Sequence, residues 1–282
     1  MSIENSAAYC LDQVRRFDHD RYLTVLFAPL EARERLIALY AFNLEVARVR
    51  EVASEPLIGQ IRLQWWREAL DEMARGSVRQ HPVALRLAAA IEAANLPRET
   101  FERLLAAREF DLAGSPPADL AALEAYAEGT SATVMALAAG ALGARGKAVE
   151  SATRHAGIAF ALVGLLRAVP FHAGQRRIYL PIDRLQAAGL DAEALFEGRT
   201  GAALTTIAQE IAERARKRLA MARRMRGEVP RASRAALLPA IVADIYLARL
   251  ARRRYALFDP AIQRPAGSRA LRLAIASALG RY

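Results

Sequence analysis
Two stretches decide the fold. The first is Tyr40-Ala41-Phe42-Asn43-Leu44-Glu45-Val46-Ala47-Arg48-Val49-Arg50-Glu51. The second starts at Gly157-Ile158-Ala159-Phe160 and passes through Leu165-Leu166-Arg167-Ala168-Val169-Pro170 to Arg177-Ile178-Tyr179-Leu180-Pro181. Apolar residues in the first recur at helical spacing, and the run extends back to Pro29, with Leu36, Leu39, Tyr40 and Val46 on the inward side. Tyr40, Phe42, Leu44 and Val46 are expected in the core. The second lies on a helix that starts near Lys147 and is uncharged from His155 to Leu166 before it meets Arg167. A guanidinium in such a setting needs a partner, either a structural carboxylate or a ligand in a pocket. Pro170 disfavours the helical conformation at Val169, so the helix is expected to end there, with Phe171–Pro181 as a connecting segment.

The same period continues outward in both directions, and no alternating strand pattern appears. Ser54 is a plausible N-cap, with Pro56 in the first turn of a helix carrying Ile58, Ile61, Trp65 and Ala69 on one face and stopping at Gly76. Pro82 and Pro97 each open another helix, Asp111–Pro117 is a loop, and Gly129-Thr130 interrupts the helix that follows. Long helices are expected over Ala202–Arg226 and Arg231–Leu257. Nothing divides the chain, which is expected to form one all-α domain over residues 1–282.

Composition narrows the function classes. Hydrophobic residues make up 54% and charged residues 25% of 282, enough for a sizeable core. The lone Cys10 cannot form an intrachain disulfide or a Cys-based metal site. Residues 1–16 carry Glu4 and Asp12 and lack the apolar core of a signal peptide. No run reaches the roughly 18 apolar residues of a spanning helix, so no transmembrane segment is expected. His19, His81, His155 and His172 have no ligand spacing and are read as structural or solvated. The net charge of +10 is concentrated: residues 203–282 hold 17 Lys/Arg against 5 Asp/Glu, or +12, which leaves −2 for the first 202. Such a field attracts an anionic lipid surface or an acidic protein. No aromatic interleaving or nucleic-acid motif accompanies it, which argues against nucleic acid. A cytoplasmic protein, peripheral on the inner face of the cell membrane, is the expected location.

The two stretches resemble the squalene/phytoene synthase family, in which a YAF start leads into an Asp-Asp-x-x-Asp cluster. There a second helix of the form AFQ-x-x-N-x-x-RD-x-x-ED precedes GRIYLP. Here the first cluster is Ala47, Arg48 and Glu51; in the second, the Asn position is Gly164 and the two Asp positions are Ala168 and His172. The resemblance implies an isoprenoid-synthase-like multi-helix bundle with a central cavity framed by Phe42–Glu51 and Ala156–Arg167. Further stretches resemble a non-catalytic branch of that family acting in assembly of respiratory complex I, the NADH:ubiquinone oxidoreductase. They are Ser54-Glu55-Pro56-Leu57-Ile58-Gly59, Arg62-Leu63-Gln64-Trp65-Trp66, Leu166-Arg167-Ala168-Val169-Pro170-Phe171-His172, Phe258-Asp259-Pro260 and Arg281-Tyr282. No mitochondrial transit segment is seen, which suggests a bacterial relative.

The family's chemistry needs Mg²⁺, a hard cation that takes octahedral oxygen ligands from carboxylates and substrate phosphates. Only Glu51 remains of the first cluster, and Arg48 places a fixed positive charge beside it. Like charges 4 Å apart repel by about 4 kcal/mol at an effective dielectric near 20. The leading expectation is therefore a pseudoenzyme with no catalytic residues, no metal and no cofactor. Its ligand-binding residues are expected to be Arg48, Arg167, Arg177, Tyr179, Asn43 and Glu51, and its partners complex I subunits or an anionic lipid or prenyl phosphate. The alternative is an active head-to-head prenyltransferase using Mg²⁺, with Glu45, Glu51, Glu109, Asp111 or Asp183 replacing the missing ligands.

Overall fold
Prolines and short polar caps set many of the helix starts in the computed structural model, which describes residues 3–53 and 55–282 of the chain. The order is α1 (Ile3–Phe17), α2 (His19–Val25), α3 (Leu30–Ala47), α4 (Val49–Val52), α5 (Pro56–Ala74), α6 (Pro82–Ala94), α7 (Arg98–Arg108), α8 (Phe110–Ala113) and α9 (Leu120–Ala127). A π-helical turn, Glu128–Ala132, leads into α10 (Thr133–Ala141), followed by α11 (Lys147–Gly174), α12 (Ile182–Ala187), α13 (Ala192–Phe196) and α14 (Gly201–Arg224). A 3-10 segment, Arg231–Leu237, precedes α15 (Pro239–Arg252), α16 (Pro260–Gln263) and α17 (Arg269–Ala278). No strand occurs among the described residues. Pro56, Pro82 and Pro239 occupy first turns, where a missing N–H costs nothing. The Asp119 side chain caps α9 by accepting from the Ala122 N–H at 2.8 Å, and Asn95 closes α6 in the left-handed region at φ 46°. The N-cap expected at Ser54 lies outside the described residues.

At the centre, α11 packs against α14, α15, α10, α9 and the π turn, while α3 is held by α1, α6 and α10. Buried side chains from Cys10 to Tyr282 form one contiguous core. Tyr40, Phe42 and Val46 are buried as expected and Leu44 is partly buried. Phe42 meets Trp66 and Phe101 edge-on, with ring centroids 5.0 and 5.6 Å apart. By length and composition α11 could cross a membrane, with a window of mean hydropathy 1.6, contrary to the expectation that no segment would qualify. Half of that window is buried inside the bundle, which is the packing of a core helix.

Several boundaries differ from the expected ones. Helix α11 continues through Pro170 to Gly174, because a single proline one turn from the end removes one N–H without forbidding a last turn. Asp111 belongs to the short helix α8, not to a loop, and is buried. The inward face of α5 is Gly59, Leu63, Trp66, Ala69 and Leu70; Ile58 and Ile61 are exposed and Trp65 only half-buried. Trp66 docks on Phe42, and Gly59 lies flush against Leu112 and Val49, which turns the helix away from the expected face. The expected helix over Arg231–Leu257 is divided, with a 3-10 segment before Pro239.

Two contacts fix how these helices meet. A Cβ on Gly157 would lie 2.2 Å from the Ala132 Cα, so α11 and the π turn touch backbone to backbone. Asp20 is the second contact. It pairs with Arg269 and, at 3.8 Å, with Arg167, whose guanidinium lies 3.4 Å from the Tyr246 ring centroid and donates to the Ile262 and Gln263 carbonyls at 3.4 Å. This cluster joins α2, α11, α15, α16 and α17.

Gly157→Ala is expected to destabilise the protein by about 2 kcal/mol, even though alanine gains roughly 1 kcal/mol over glycine in a helix, because the clash is with backbone. A lowered urea midpoint would read it. Arg167→Met is expected to cost about 2 kcal/mol, seen as a melting temperature lower by a few degrees. The loss stays below the ~3–5 kcal/mol of an orphaned buried charge because Arg269 keeps Asp20 paired.

Candidate functional site
Helices α3, α4 and α11 frame a cleft of about 250 Å³. Ala47, Arg50 and Glu51 line one side, and Phe160, Ala161, Gly164, Leu165, Ala168 and His172 line the α11 side. Arg21 enters from α2, and Arg108, Asp111, Tyr126, Arg177 and Tyr179 complete the wall. On α11 the spacing of Phe160, Gly164, Ala168 and His172 is i, i+4, i+8 and i+12, so one helix face presents all four. The last turn beyond Pro170 is what carries His172 into the cleft. Hollows of about 560 Å³ beside Trp65 and about 470 Å³ beside Arg154 are larger, but neither is lined by a residue of the two deciding stretches.

The polar wall is organised around Asp111. Its Oδ1 accepts from the Tyr126 and Tyr179 hydroxyls, each at 2.7 Å, and its Oδ2 accepts from Arg108 Nη1 at 3.2 Å. Arg108 also donates to the Tyr126 hydroxyl at 3.0 Å and to Asn43 Oδ1 at 3.4 Å. Burial raises both phenol pKa values, and the Asp111 charge adds to it. Burial alone would lower the Arg108 pKa, yet Tyr126 and Asp111 outweigh it and hold the guanidinium charged. His172 sits against Tyr179, with ring centroids 4.5 Å apart. Burial, with the Arg177 charge next, pushes its pKa down to about 4, so it is neutral at pH 7. Its Nδ1 and the Arg108 Nε are buried without a hydrogen-bond partner.

Of the six residues expected to bind ligand, Arg177, Tyr179 and Glu51 line this cleft. Asn43 stands behind the wall and orients Arg108. Arg48 and Arg167 do not line the cleft with them, which corrects their place among the expected ligand-binding residues. Arg48 is one helical step off the lining positions, half-exposed, 3.3 Å from Glu51 and stacked over the Phe17 ring at 4.4 Å. Arg167 is turned away from the Gly164–Ala168 face into the Asp20 cluster, where it braces the bundle. The sequence left Arg21, Arg50, Arg108 and Tyr126 unassigned. For Arg50 a signal existed, since it lies three residues after Ala47 on the same run. His172, expected to be structural or solvated, is half-buried in the cleft wall.

Four arginines therefore face two carboxylates. Arg21 is paired with Asp18 at 2.6 Å and Arg108 with Asp111. Arg177 donates to the Arg50 carbonyl at 3.1 Å and Arg50 to the Ala53 carbonyl at 3.3 Å, and neither pairs with a carboxylate among the described residues. Glu51 is engaged by Arg48, and Asp111 by three donors. Among the described residues no group of three or more His, Cys, Asp or Glu is placed to hold a metal ion. These donors do not fit a Mg²⁺ cluster, which needs several oxygen ligands free to face the ion.

Comparison with known proteins matches the frame just described. The family model for squalene/phytoene synthase matches residues 14–270. The chain is 31% identical over 261 residues to NADH dehydrogenase (ubiquinone) complex I, assembly factor 6 of Rattus norvegicus, covering 93% of this chain and 78% of that protein. It is 30% identical over 255 residues to the Homo sapiens protein of the same name, covering 90% and 77%. A crystal structure of a dehydrosqualene synthase in complex with ligand superposes with a TM-score of 0.85 over 98% of this chain and 96% of that one, at 20% identity, which speaks for the fold. The matched region includes both deciding stretches and every residue named around the cleft, and the chain belongs to the squalene/phytoene synthase family.

Proposed function
We propose that this protein acts in the assembly of respiratory complex I, that it does not carry out metal-dependent prenyl transfer, and that its cleft binds one anionic group. The observation that carries the reading is the replacement pattern in the cleft. Ala47, Gly164, Ala168 and His172 stand on its wall where the resembling enzymes have metal ligands, and Arg50 and Arg177 supply positive charge there instead. The similarity to proteins named complex I assembly factor 6 supports the process. The chemistry supports the ligand class: guanidinium forks grip phosphate or carboxylate through paired hydrogen bonds without a metal. Volume favours a head group over two isoprenoid chains, since about 250 Å³ falls below the ~300–1,000 Å³ usual for a pocket that encloses a drug-sized molecule.

Deleting the gene in its host is expected to lower NADH:ubiquinone oxidoreductase activity and assembled complex in membranes. Both the wild-type gene and the Glu51→Gln variant should restore them. Purified protein with farnesyl diphosphate and Mg²⁺ should release no pyrophosphate above background. Release that depends on Mg²⁺, together with failure of Glu51→Gln to restore the complex, would establish the prenyltransferase alternative.

The cleft makes a second, pH-dependent prediction. The folded-state pKa of His172 lies below the usual histidine value, at about 4. The unfolded chain therefore binds more protons between pH 6.5 and 4. The stability contributed by neutral His172 is present above pH 6.5 and falls as pH falls through that window. At pH 5 the loss relative to pH 7 is about 2 kcal/mol. His172→Gln is expected to flatten this slope in thermal unfolding, and a bound farnesyl monophosphate, which favours the imidazolium, to reduce it in wild type. Arg177→Met should weaken that ligand by about tenfold or more, measured calorimetrically with EDTA present.

A further inference from the structure
Helix α17 carries an apolar face that the fold leaves open. Leu271, Ile275 and Leu279 recur every fourth residue and are 65%, 51% and 55% exposed. Ala274 and Ala278 fill the gaps between them, so the outward arc is apolar except for Arg272 at its edge. The opposite side, Arg269, Leu273 and Ala276, is buried. A frayed end could expose such residues by accident, but this helix is clamped at both ends. Arg269 pairs with Asp20 at the start. Beyond the end, Arg234 donates to the Gly280 carbonyl at 2.8 Å and the buried Tyr282 hydroxyl donates to the Ala222 carbonyl at 3.2 Å. The stripe is therefore held outward by the core.

The surroundings of this stripe are cationic. Arg272 and Arg281 are exposed beside it, and the exposed Arg231 packs its guanidinium over Gly280. No acidic residue follows Asp259. Of the five acids in residues 203–282, Asp259 pairs with Arg253, Asp244 with Arg223, Glu210 with Arg184 and Glu213 with Arg216, so little negative charge is left to offset the seventeen basic residues. A helix with one apolar face and a basic margin, and no acid within it, matches the interface of an anionic bilayer. There the apolar face enters the acyl boundary while the guanidiniums stay among the head groups. Juxtaposed basic residues add attraction that salt screens.

We propose that α17 is a docking face for an anionic membrane surface, with Leu271, Ile275 and Leu279 as its apolar contacts and Arg272, Arg281 and Arg231 as its charged margin. The face is separate from the cleft, so docking does not depend on what the cleft binds. The test is co-sedimentation of the full chain with vesicles of phosphatidylcholine alone and of phosphatidylcholine mixed with phosphatidylglycerol. Wild type is expected to bind only the mixed vesicles and to be released by rising salt. The double variant Leu271→Ser/Ile275→Ser should bind at least about tenfold more weakly, as should Arg272→Gln/Arg281→Gln. Both pairs are exposed, so unchanged thermal unfolding serves as the folding control. Arg177→Met in the cleft should bind as wild type. Equal binding of wild type and the serine variant overturns the proposal, as does binding to neutral vesicles alone. A loss confined to Arg177→Met would assign the lipid to the cleft, and dimerisation abolished by the serine substitutions would assign the stripe to a second copy of the chain; either result also overturns it. Because only bilayer binding is measured, the outcome is separable from complex I assembly.

Discussion
The cleft depends on one buried ion pair. Arg108 and Asp111 lie three residues apart at the junction of α7 and α8, and both are withdrawn from water. A charge pair in that position is stable only if the remaining lone pairs and protons find partners. All but the Arg108 Nε proton find them, on three other parts of the chain: Asn43 from α3, Tyr126 from α9 and Tyr179 from the segment after α11. The pair thus dictates where those elements meet, and the cleft is the space in front of it. Its charge is closed on itself, which is why Asp111, although an acid in the wall, is not a free metal ligand. The unengaged positive charge belongs to Arg50 and Arg177, whose guanidiniums meet backbone carbonyls instead of carboxylates.

Much of this was legible from spacing. The helical period around Tyr40–Glu51 and Gly157–Ala168 marked two buried helices, and the resemblance to the synthase family implied that they face one cavity, with Ala47, Glu51, Gly164, Ala168 and His172 at the family's metal positions on its wall. What escaped was rotational. Arg48 and Arg167 are each one residue from a lining position, and one residue is about 100° of helix, enough to turn a side chain out of the cleft. The face of α5 was lost for a related reason: Ile58 and Ile61 satisfy the helical period as well as Gly59 and Leu63 do, and only the contacts with Phe42, Val49 and Leu112 choose between them. Asp111 was hidden by its neighbourhood of Gly, Ser and Pro, which signals a loop, while its burial comes from partners distant in sequence.

The two arginines that left the cleft show how this family frame divides its charges. Arg167 locks the C-terminal helices to α2 through Asp20. Arg48 offsets Glu51 at the cleft rim. Helix α11 consequently has two roles on two faces, with small residues toward the cleft and Arg167 toward the brace. The close approach at Gly157 sets its depth against the π turn that positions Thr130 and Ser131.

The guanidiniums in the cleft also set how its charge can change. A site neutralised by divalent cations follows the supply of those ions and empties when they are chelated. A guanidinium holds its positive charge without any bound ion, and burial pushes the His172 pKa down to about 4, so the imidazole is neutral near pH 7. The positive potential of this cleft is therefore a constant of the folded chain, present at every ionic composition the cell offers. Discharge of the cleft requires a competing anion or a movement of the wall.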